Sequence, residues 1–353
     1  MINNNLNMNR WIGIDVGGAN VKIAHGSGVA SSIRFEVWRD PRGLASALAE
    51  ARKLVPHGDA VAATTTAELC DCFETKAEGV ETVLSALEIA FGDLPISIWG
   101  IDEQFHNTAT IRDRPALAAA SNWLALAVYA SRLVKESAIL IDVGSTTTDL
   151  IPLDRTGARC RGKTDYERLQ TGELVYAGVR RTPICAIASR VPWRGSTIGI
   201  AAEWFATTHD VYLILKSIES DVTDRGTADG RPATVEFARD RLARTLGADR
   251  ETFSFEDARV FAATCDSILL ERLVESARGA CETTIGAPRS AVVAGSGSFL
   301  ARRLAERLIE PEGDAERSIV DLANHWDPDR SDCACAFALT ILACERLQKL
   351  NNA

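Results

Sequence analysis

The chain has 353 residues, 46% of them hydrophobic and 25% charged, so it is long enough for about two domains and too apolar to be disordered. A formal net charge of -9 excludes a general nucleic-acid binder, because phosphate backbones are held by clustered Lys and Arg. No apolar run reaches the ~18 residues of a membrane-spanning helix.

The polar opening MINNNLNMNR leads into a strand and not into an apolar signal core, which points to a cytoplasmic protein whose nine cysteines stay reduced. WIGIDV, NVKIAHG and SIRFEVW read as three successive strands, GLASALAEARKLV has helical period, and DAVAATT is a short strand. EGVETVLSALEIAFG is a helix and PISIWG a strand. RPALAAASNWLALAVYASRLV reads as one long helix, apolar almost all round and therefore buried. The pattern restarts with AILIDVG and TTTDLIPL, and TGARCRGKTDYERLQTGELVYAG is expected to add strands joined by loops. Helices are expected near 198–217, 233–246 and 256–281. AVVAGSG is a strand ending in a glycine turn, SFLARRLAERLI a helix, SIVDLA a last strand and CAFALTILACERLQKL a last helix. Segment 216–232 is a polar, acidic loop of a length associated with function or mobility.

Two stretches share a layout: IGIDVGGANVK at 12–22 and ILIDVGSTTTDL at 139–150. In each, an apolar strand ends in Asp-Val-Gly, small polar residues follow, and a second strand returns. Glycine at such a tip leaves backbone amides open to a close anion. Gly17, Gly18 and Asn20, with Gly144, Ser145, Thr146 and Thr147, are therefore candidate phosphate ligands. Lys22 shares a strand face with Asn20 and adds a positive charge. Asp15 and Asp142, at the strand ends, suit Mg²⁺, which keeps most of its waters and takes one or two carboxylates plus substrate oxygens. Asp149, just after the hydroxyl run, is a further catalytic candidate. One such hairpin alone fits a plain turn. Two at matching places, with Gly295, Ser296 and Gly297 after a third strand, favour a phosphate site.

Other residues keep two readings. Glu203 and Asp210 lie seven apart, hence on one face of the helix expected there; they suit a second cation, an acceptor amine or the role of general base, or they form a solvated acidic face. Asp224 and Asp229 either close over the site or stay in solvent. Thr64–Thr66 and Glu68 look like a helix start, while Glu68, Asp71 and Lys76, at a strand end, are candidate substrate contacts. Arg180 and Arg181 fit a diphosphate clamp or surface salt bridges; Arg181 is taken as the phosphate ligand. His25, His57, His106 and His325 show no metal-ligand spacing. The pairs Cys70/Cys72 and Cys333/Cys335 are C-x-C, unlike the C-x-x-C of zinc knuckles, and read as small apolar residues in packed helices.

The three glycine turns together resemble the phosphate-1, phosphate-2 and adenosine elements of the acetate and sugar kinase, Hsp70 and actin superfamily. With TTTAELCDCFETKAEGV at 64–80, ELVYAGVRRTP at 173–183, AAEWFATTHDVYLIL at 201–215 and TADGRPAT at 227–234, the chain more narrowly resembles the hydantoinase A/oxoprolinase-like family tied to tetrahydromethanopterin-linked one-carbon transfer. The resemblance implies an α/β fold: two ribonuclease-H-like domains with mixed sheets flanked by helices and a ligand cleft between them. Their spans are 10–134 and 135–330, with the helix in 331–349 packing back on the first. It also implies a Mg²⁺-dependent transferase of methanofuran-type cofactor synthesis, joining a furanylmethyl diphosphate to a tyramine-type phenol or amine acceptor and releasing pyrophosphate. ATP-dependent phosphotransfer or ring opening, with ATP at residues 295–297, stays open, as do a non-catalytic nucleotide switch and a homo-oligomer.

Overall fold

The computed structural model describes residues 8–310 and 318–351; residues 1–7 of the polar opening lie outside the described residues. The first sheet is built from β1 (Trp11–Val16), β2 (Asn20–His25), β3 (Ala30–Arg34), β4 (Ala60–Thr65), β5 (Ile96–Trp99) and β6 (Phe105–His106), in spatial order β3-β2-β1-β4-β5-β6. β1 is buried at every position, as its apolar residues require, and it carries Asp15 into the interior near its end. It pairs antiparallel with β2 and parallel with β4, so the sheet is mixed.

The second sheet starts from β7 (Ala138–Val143), β8 (Thr148–Asp154), β9 (Gly157–Ala158) and β10 (Leu174–Val175). A separate hairpin, β11 (Arg190–Trp193) and β12 (Ser196–Gly199), follows, and β13 (Ser290–Ala294) with β14 (Ile319–Asp321) completes the sheet in order β10-β8-β7-β13-β14. Each sheet thus has antiparallel strands on one side of its central strand, β1 or β7, and parallel strands on the other, with β6 returning antiparallel at the edge of the first. The registers match closely: Asp15 faces Lys22 across β1 and β2, and Asp142 faces Asp149 across β7 and β8.

Two helices are wedged between the sheets. Asn122–Ala130 and Ala334–Asn351 place Ala125, Leu339 and Leu342 against Trp11, Ala62 and Trp99 of the first sheet. Their other faces put Leu124, Leu126 and Ala338 against Leu140, Ile151 and Val292 of the second. A helix buried on two sides must be apolar all round, which explains NWLALAVYA. The approach on β1 is close: a Cβ on Gly13 would lie 1.9 Å from the carbonyl oxygen of Ala336. The flanking helix Phe255–Glu282 packs on the far side of the second sheet, with Phe261, Leu269 and Leu273 in a core that includes Ile139, Ile141 and Leu150.

Three expected elements differ. The helix expected over 114–134 is broken into a 3₁₀ turn Pro115–Leu117, the helix Asn122–Ala130 and a second 3₁₀ turn Ser131–Leu133. Ala120 adopts φ 49°, and Ala119 bridges to Thr65, pulling the backbone out of helical geometry toward the first sheet. Only Thr208–Ile214 of 198–217 is helical, started by a capping box between Thr207 and Asp210, and its first residues belong to β12 instead. Within 156–178, Asp165–Thr171 forms a helix opened by the Thr164/Glu167 capping box.

Candidate active site

The two Asp-Val-Gly turns converge on one cleft of about 320 Å³ between the sheets. Each is closed in the same way, by Gly17 N–H donating to Asn20 O and Gly144 N–H donating to Thr147 O, both at 2.9 Å. The amides of Gly18, Ala19, Ser145 and Thr146 donate to no described residue, which leaves them open to an anion at the cleft wall. Close packing holds both turns. Cys70 Sγ lies over Gly18, 2.9 Å from where a Cβ would project. Gly178 lies beneath the second turn, where a Cβ would meet Gly144 O at 2.4 Å and the Ser145 carbonyl carbon at 2.6 Å. These are backbone atoms, so no side-chain rotation relieves the clash. Gly178→Ala is expected to displace the Ser145–Thr146 amides and weaken inorganic pyrophosphate binding at least ~10-fold in a calorimetric titration, the loss of about one charge-assisted hydrogen bond.

Asp15 and Asp142 project into the cleft with few hydrogen-bond donors around them. Asp15 is buried, with Oδ2 accepting only a long hydrogen bond of 3.4 Å from Asn122 Nδ2 and Oδ1 left without a partner. Burial pushes its carboxyl up to about 6, against the opposing pull of Lys22. Burial, reinforced by Asp149, pushes Asp142 up to about 7. A weak contact from the Cys335 thiol at 4.0 Å is the recorded hydrogen bond to Asp142. Lys22 donates to the Asp332 carbonyl oxygen and, at 3.2 Å, to its carboxylate. Burial disfavours its charge, but Asp332, Cys333, Asp142 and Asp15 more than offset this and hold it above the ordinary lysine range.

At the position of the second hairpin equivalent to Lys22, Asp149 accepts from Arg168 Nη2 at 2.7 Å. Arg168 is itself 1% exposed, donates to Glu173 O at 3.1 Å, and lies flat over the Trp123 ring at 4.1 Å. Asp165, Leu174, Tyr176 and Trp123 also line the cleft. Burial raises the Asp165 carboxyl above the usual carboxylate range.

Of the residues expected from sequence, the cleft brings together Asp15, Gly17, Gly18, Asn20, Lys22, Asp142, Gly144, Ser145, Thr146, Thr147, Asp149 and Arg181. It does not bring in the rest. Glu203 is exposed on an irregular segment, so it shares no helix face with Asp210. Asp210 is buried, accepts from Arg241 Nε at 2.8 Å and caps its own helix through Thr207 N–H, so it is spoken for structurally. Asp229 sits among Arg231, Arg241 and Arg244. Glu68 is 1% exposed, its carboxyl pushed up to about 7 by burial. Asp71 is exposed, and Lys76 opens the helix Lys76–Phe91 near Glu68 and Asp165. Gly295, Ser296 and Gly297 lie outside the cleft lining. Gly295 takes φ 88° and backs onto Asp142, a Cβ there falling 2.3 Å from Asp142 Oδ1, while Gly297 N–H donates to Val143 O at 2.8 Å. The third turn therefore packs against the end of β7 and steadies Asp142.

Sequence reasoning missed Trp38, Cys70, Asn122, Trp123, Asp165, Arg168, Tyr176, Asp332 and Cys335 in the lining. The one local signal was T-D-Y-E, a capping box that sets Asp165 and Arg168 on one short helix. Cys70 and Cys72 lie outside any helix, and none of the nine cysteines is in a disulfide.

The profile of the family described as hydantoinase/oxoprolinase matches residues 59–310. The chain belongs to the hydantoinase/oxoprolinase family. Within it, the chain is 36% identical over 268 residues, 75% of this chain and 80% of the relative, to the (4-{4-[2-(gamma-L-glutamylamino)ethyl]phenoxymethyl}furan-2-yl)methanamine synthase of Methanocaldococcus jannaschii. It is 29% identical over 227 residues, 64% of this chain and 100% of the relative, to the protein of that name from Methanococcus vannielii. Among solved structures, nucleotide-free acetone carboxylase, described in connection with ATP-dependent acetone carboxylation, aligns over 94% of this chain and 70% of its own with a TM-score of 0.56 at 11% identity, a likeness of fold. The family match starts at β4, so the first Asp-Val-Gly turn lies before it, while Trp123, Arg168 and Gly178 lie inside it.

The cleft residues fit a divalent cation. Among the described residues no group of three or more His, Cys, Asp or Glu side chains is arranged to cage a metal. Mg²⁺ does not need one, since it is held by one or two carboxylates plus phosphate oxygens and water. The unpartnered Oδ1 of buried Asp15 and the half-buried Asp142 carboxylate in the same cleft supply the one or two carboxylates such an ion takes, and the open amides beside them suit its phosphate.

Proposed function

We propose that this family member is a Mg²⁺-dependent synthase that joins a furanylmethyl diphosphate to the phenol of a tyramine-type acceptor, in the making of a methanofuran-type one-carbon carrier. The observation that carries the reading is the pairing of two open-amide turns with the carboxylates of buried Asp15 and half-buried Asp142 in one cleft. The name of the relatives adds direction, because it describes a furan and a phenol joined through an ether.

In this reading the amides of Gly18, Ala19, Ser145 and Thr146 bind the diphosphate oxygens, and Asp15 and Asp142 hold Mg²⁺. Mg²⁺ held there would offset charge on the departing diphosphate. The C–O bond breaks, leaving a furanylmethyl cation faced by Trp123, Tyr176 and the carboxylate of Asp149. The phenol oxygen bonds to that carbon, and Asp165, whose raised affinity for protons suits a base, takes the phenolic proton. Products are the aryl ether and pyrophosphate. The packing of Gly295 and Gly297 against β7 favours this reading over one that seats adenosine there.

Purified protein supplied with Mg²⁺, donor and acceptor should release pyrophosphate only when both substrates are present. Acceptor-stimulated ATP hydrolysis without the diphosphate donor would sink the reading.

The carboxyls also set a pH signature. Both titrate above the ordinary aspartate value, at about 6 and about 7, so between pH 4 and pH 7 the folded protein holds protons that the unfolded chain has released. Their contribution to stability is present at acid pH and is lost as pH rises through the folded values. A cation that binds the ionised pair reverses that loss. Mg²⁺ is expected to raise the melting temperature by several degrees at pH 8 and hardly at pH 5; an equal rise at both values would contradict the assignment.

A further inference from the structure

Beyond the cleft a second groove, of about 840 Å³, opens on the other side of the phosphate turns; Ala19, Asn20, Trp38, Ser145 and Arg181 line both. Its charge is unlike that of the chain as a whole. Arg34, Arg39, Arg180, Arg181 and Arg225 line it against three carboxylates, Glu36, Asp221 and Asp224, in a chain of net charge -9. The paired members form a bridge across the groove. Arg34, from the first sheet, donates to Asp224 at 2.9 Å and to Glu36 at 2.7 Å, and Arg180 donates to Asp224 from the other side. Arg39 pairs with Glu36 at 2.9 Å.

Two cations are left over. Arg181 forms no ion pair with a described residue and lies over the Trp38 ring at 4.2 Å, with the nitrogen edge of its guanidinium still available. Arg225 has one recorded contact, a 3.5 Å approach to the Gly230 carbonyl oxygen. Beside them Trp204 is 57% exposed, an indole with an open face. A guanidinium fork held flat by an aromatic ring binds carboxylates in two-point fashion, and an exposed indole covers an apolar stem.

We propose that this groove is the acceptor subsite: Arg181 and Arg225 bind the carboxylate end of a tail carried by the phenol, and Trp38 and Trp204 cover the stem between. The inference rests on the synthase reading for the identity of the acceptor. It predicts a ligand with an anionic group several bonds from its hydroxyl, threading past the phosphate turns so that the phenol reaches the cleft. Arg225 stands on the acidic loop, which makes that loop the part that discriminates acceptors.

Calorimetric titration of the full chain with tyramine and with γ-glutamyltyramine tests it. These probes share the phenol, and only the second has a free carboxylate. Wild-type protein should bind the second at least ~10-fold more tightly, Arg225→Ala should cut that preference to within ~3-fold, and Arg225→Lys should keep part of it, as loss of one charge-assisted contact requires. In turnover, Arg225→Ala should raise KM for γ-glutamyltyramine with kcat unchanged and leave both constants for tyramine alone. Equal wild-type affinity for the two probes, or a preference untouched in Arg225→Ala, would overturn the subsite. Preferential binding with no ether formed from either probe would keep the groove assignment and overturn the synthase reading instead.

Discussion

Asp142→Asn or Asp15→Asn should lower turnover at least ~10³-fold, the scale expected when a metal ion loses a carboxylate ligand that offsets charge on a leaving group. Both variants should melt at a higher temperature than the wild type at pH 8 without Mg²⁺. The physical ground is the same for the two effects. Asp15 is buried and Asp142 half-buried, and loss of water around them disfavours the charged forms, so the carboxyls titrate at about 6 and about 7. Asp15 Oδ1 has no partner, and Asp142 has a thiol at 4.0 Å. An amide keeps the shape and removes the charge, so the folded apo protein is relieved of an unfavourable anion while the ion site is lost. Wild-type turnover in both variants would refute the cation role; a lower melting temperature would show that the charges are stabilised by something other than a ligand.

Arg168→Met should destabilise the fold by about 3–5 kcal/mol, the range for removing one partner of a buried pair. The loss has three parts. Asp149, 14% exposed, is left charged without its 2.7 Å partner. The Glu173 carbonyl loses a donor, and Trp123 loses the guanidinium on its face. Lysine should not rescue, since a single ammonium cannot lie flat on the ring while bonding both oxygens. The double variant Arg168→Met with Asp149→Asn should recover much of the loss because the orphaned charge is gone. Urea denaturation of the three variants measures it, and a midpoint for Arg168→Met within ~1 kcal/mol of wild type would mean that water already screens Asp149.

The parts of the site carried by chain-local pattern could be read without a structure. An apolar strand that ends in Asp-Val-Gly and returns through small polar residues dictates a tight hairpin, so Asp15, Gly17, Gly18, Asn20, Asp142 and the run 144–147 could be placed at strand ends and turns. That the two hairpins face one another depends on the helices Asn122–Ala130 and Ala334–Asn351 filling the space between the sheets. Their all-round apolar character was visible, but not which surfaces they join.

Charge partners were hidden for a related reason. Lys22 and Asp149 occupy equivalent register positions in the two hairpins, yet one carries a cation and the other an anion, and each is matched by a residue far from it in sequence or turned in by a short helix: Asp332 for Lys22 and Arg168 for Asp149. Asp210 misled for the opposite reason. Its acidic side chain is used three residues from Thr207 as a helix cap and 31 residues away by Arg241, and periodicity cannot distinguish a capping carboxylate from a reacting one.

The central claim is that the donor's carbon, not its phosphorus, is attacked. Turnover of furanylmethyl diphosphate carrying ¹⁸O in the bridging C–O–P position, followed by mass spectrometry of both products, tests it most directly. The account predicts that all of the label leaves with pyrophosphate and that the aryl ether is unlabelled. Label retained in furanylmethanol, with a phosphoryl group on the acceptor, would contradict it.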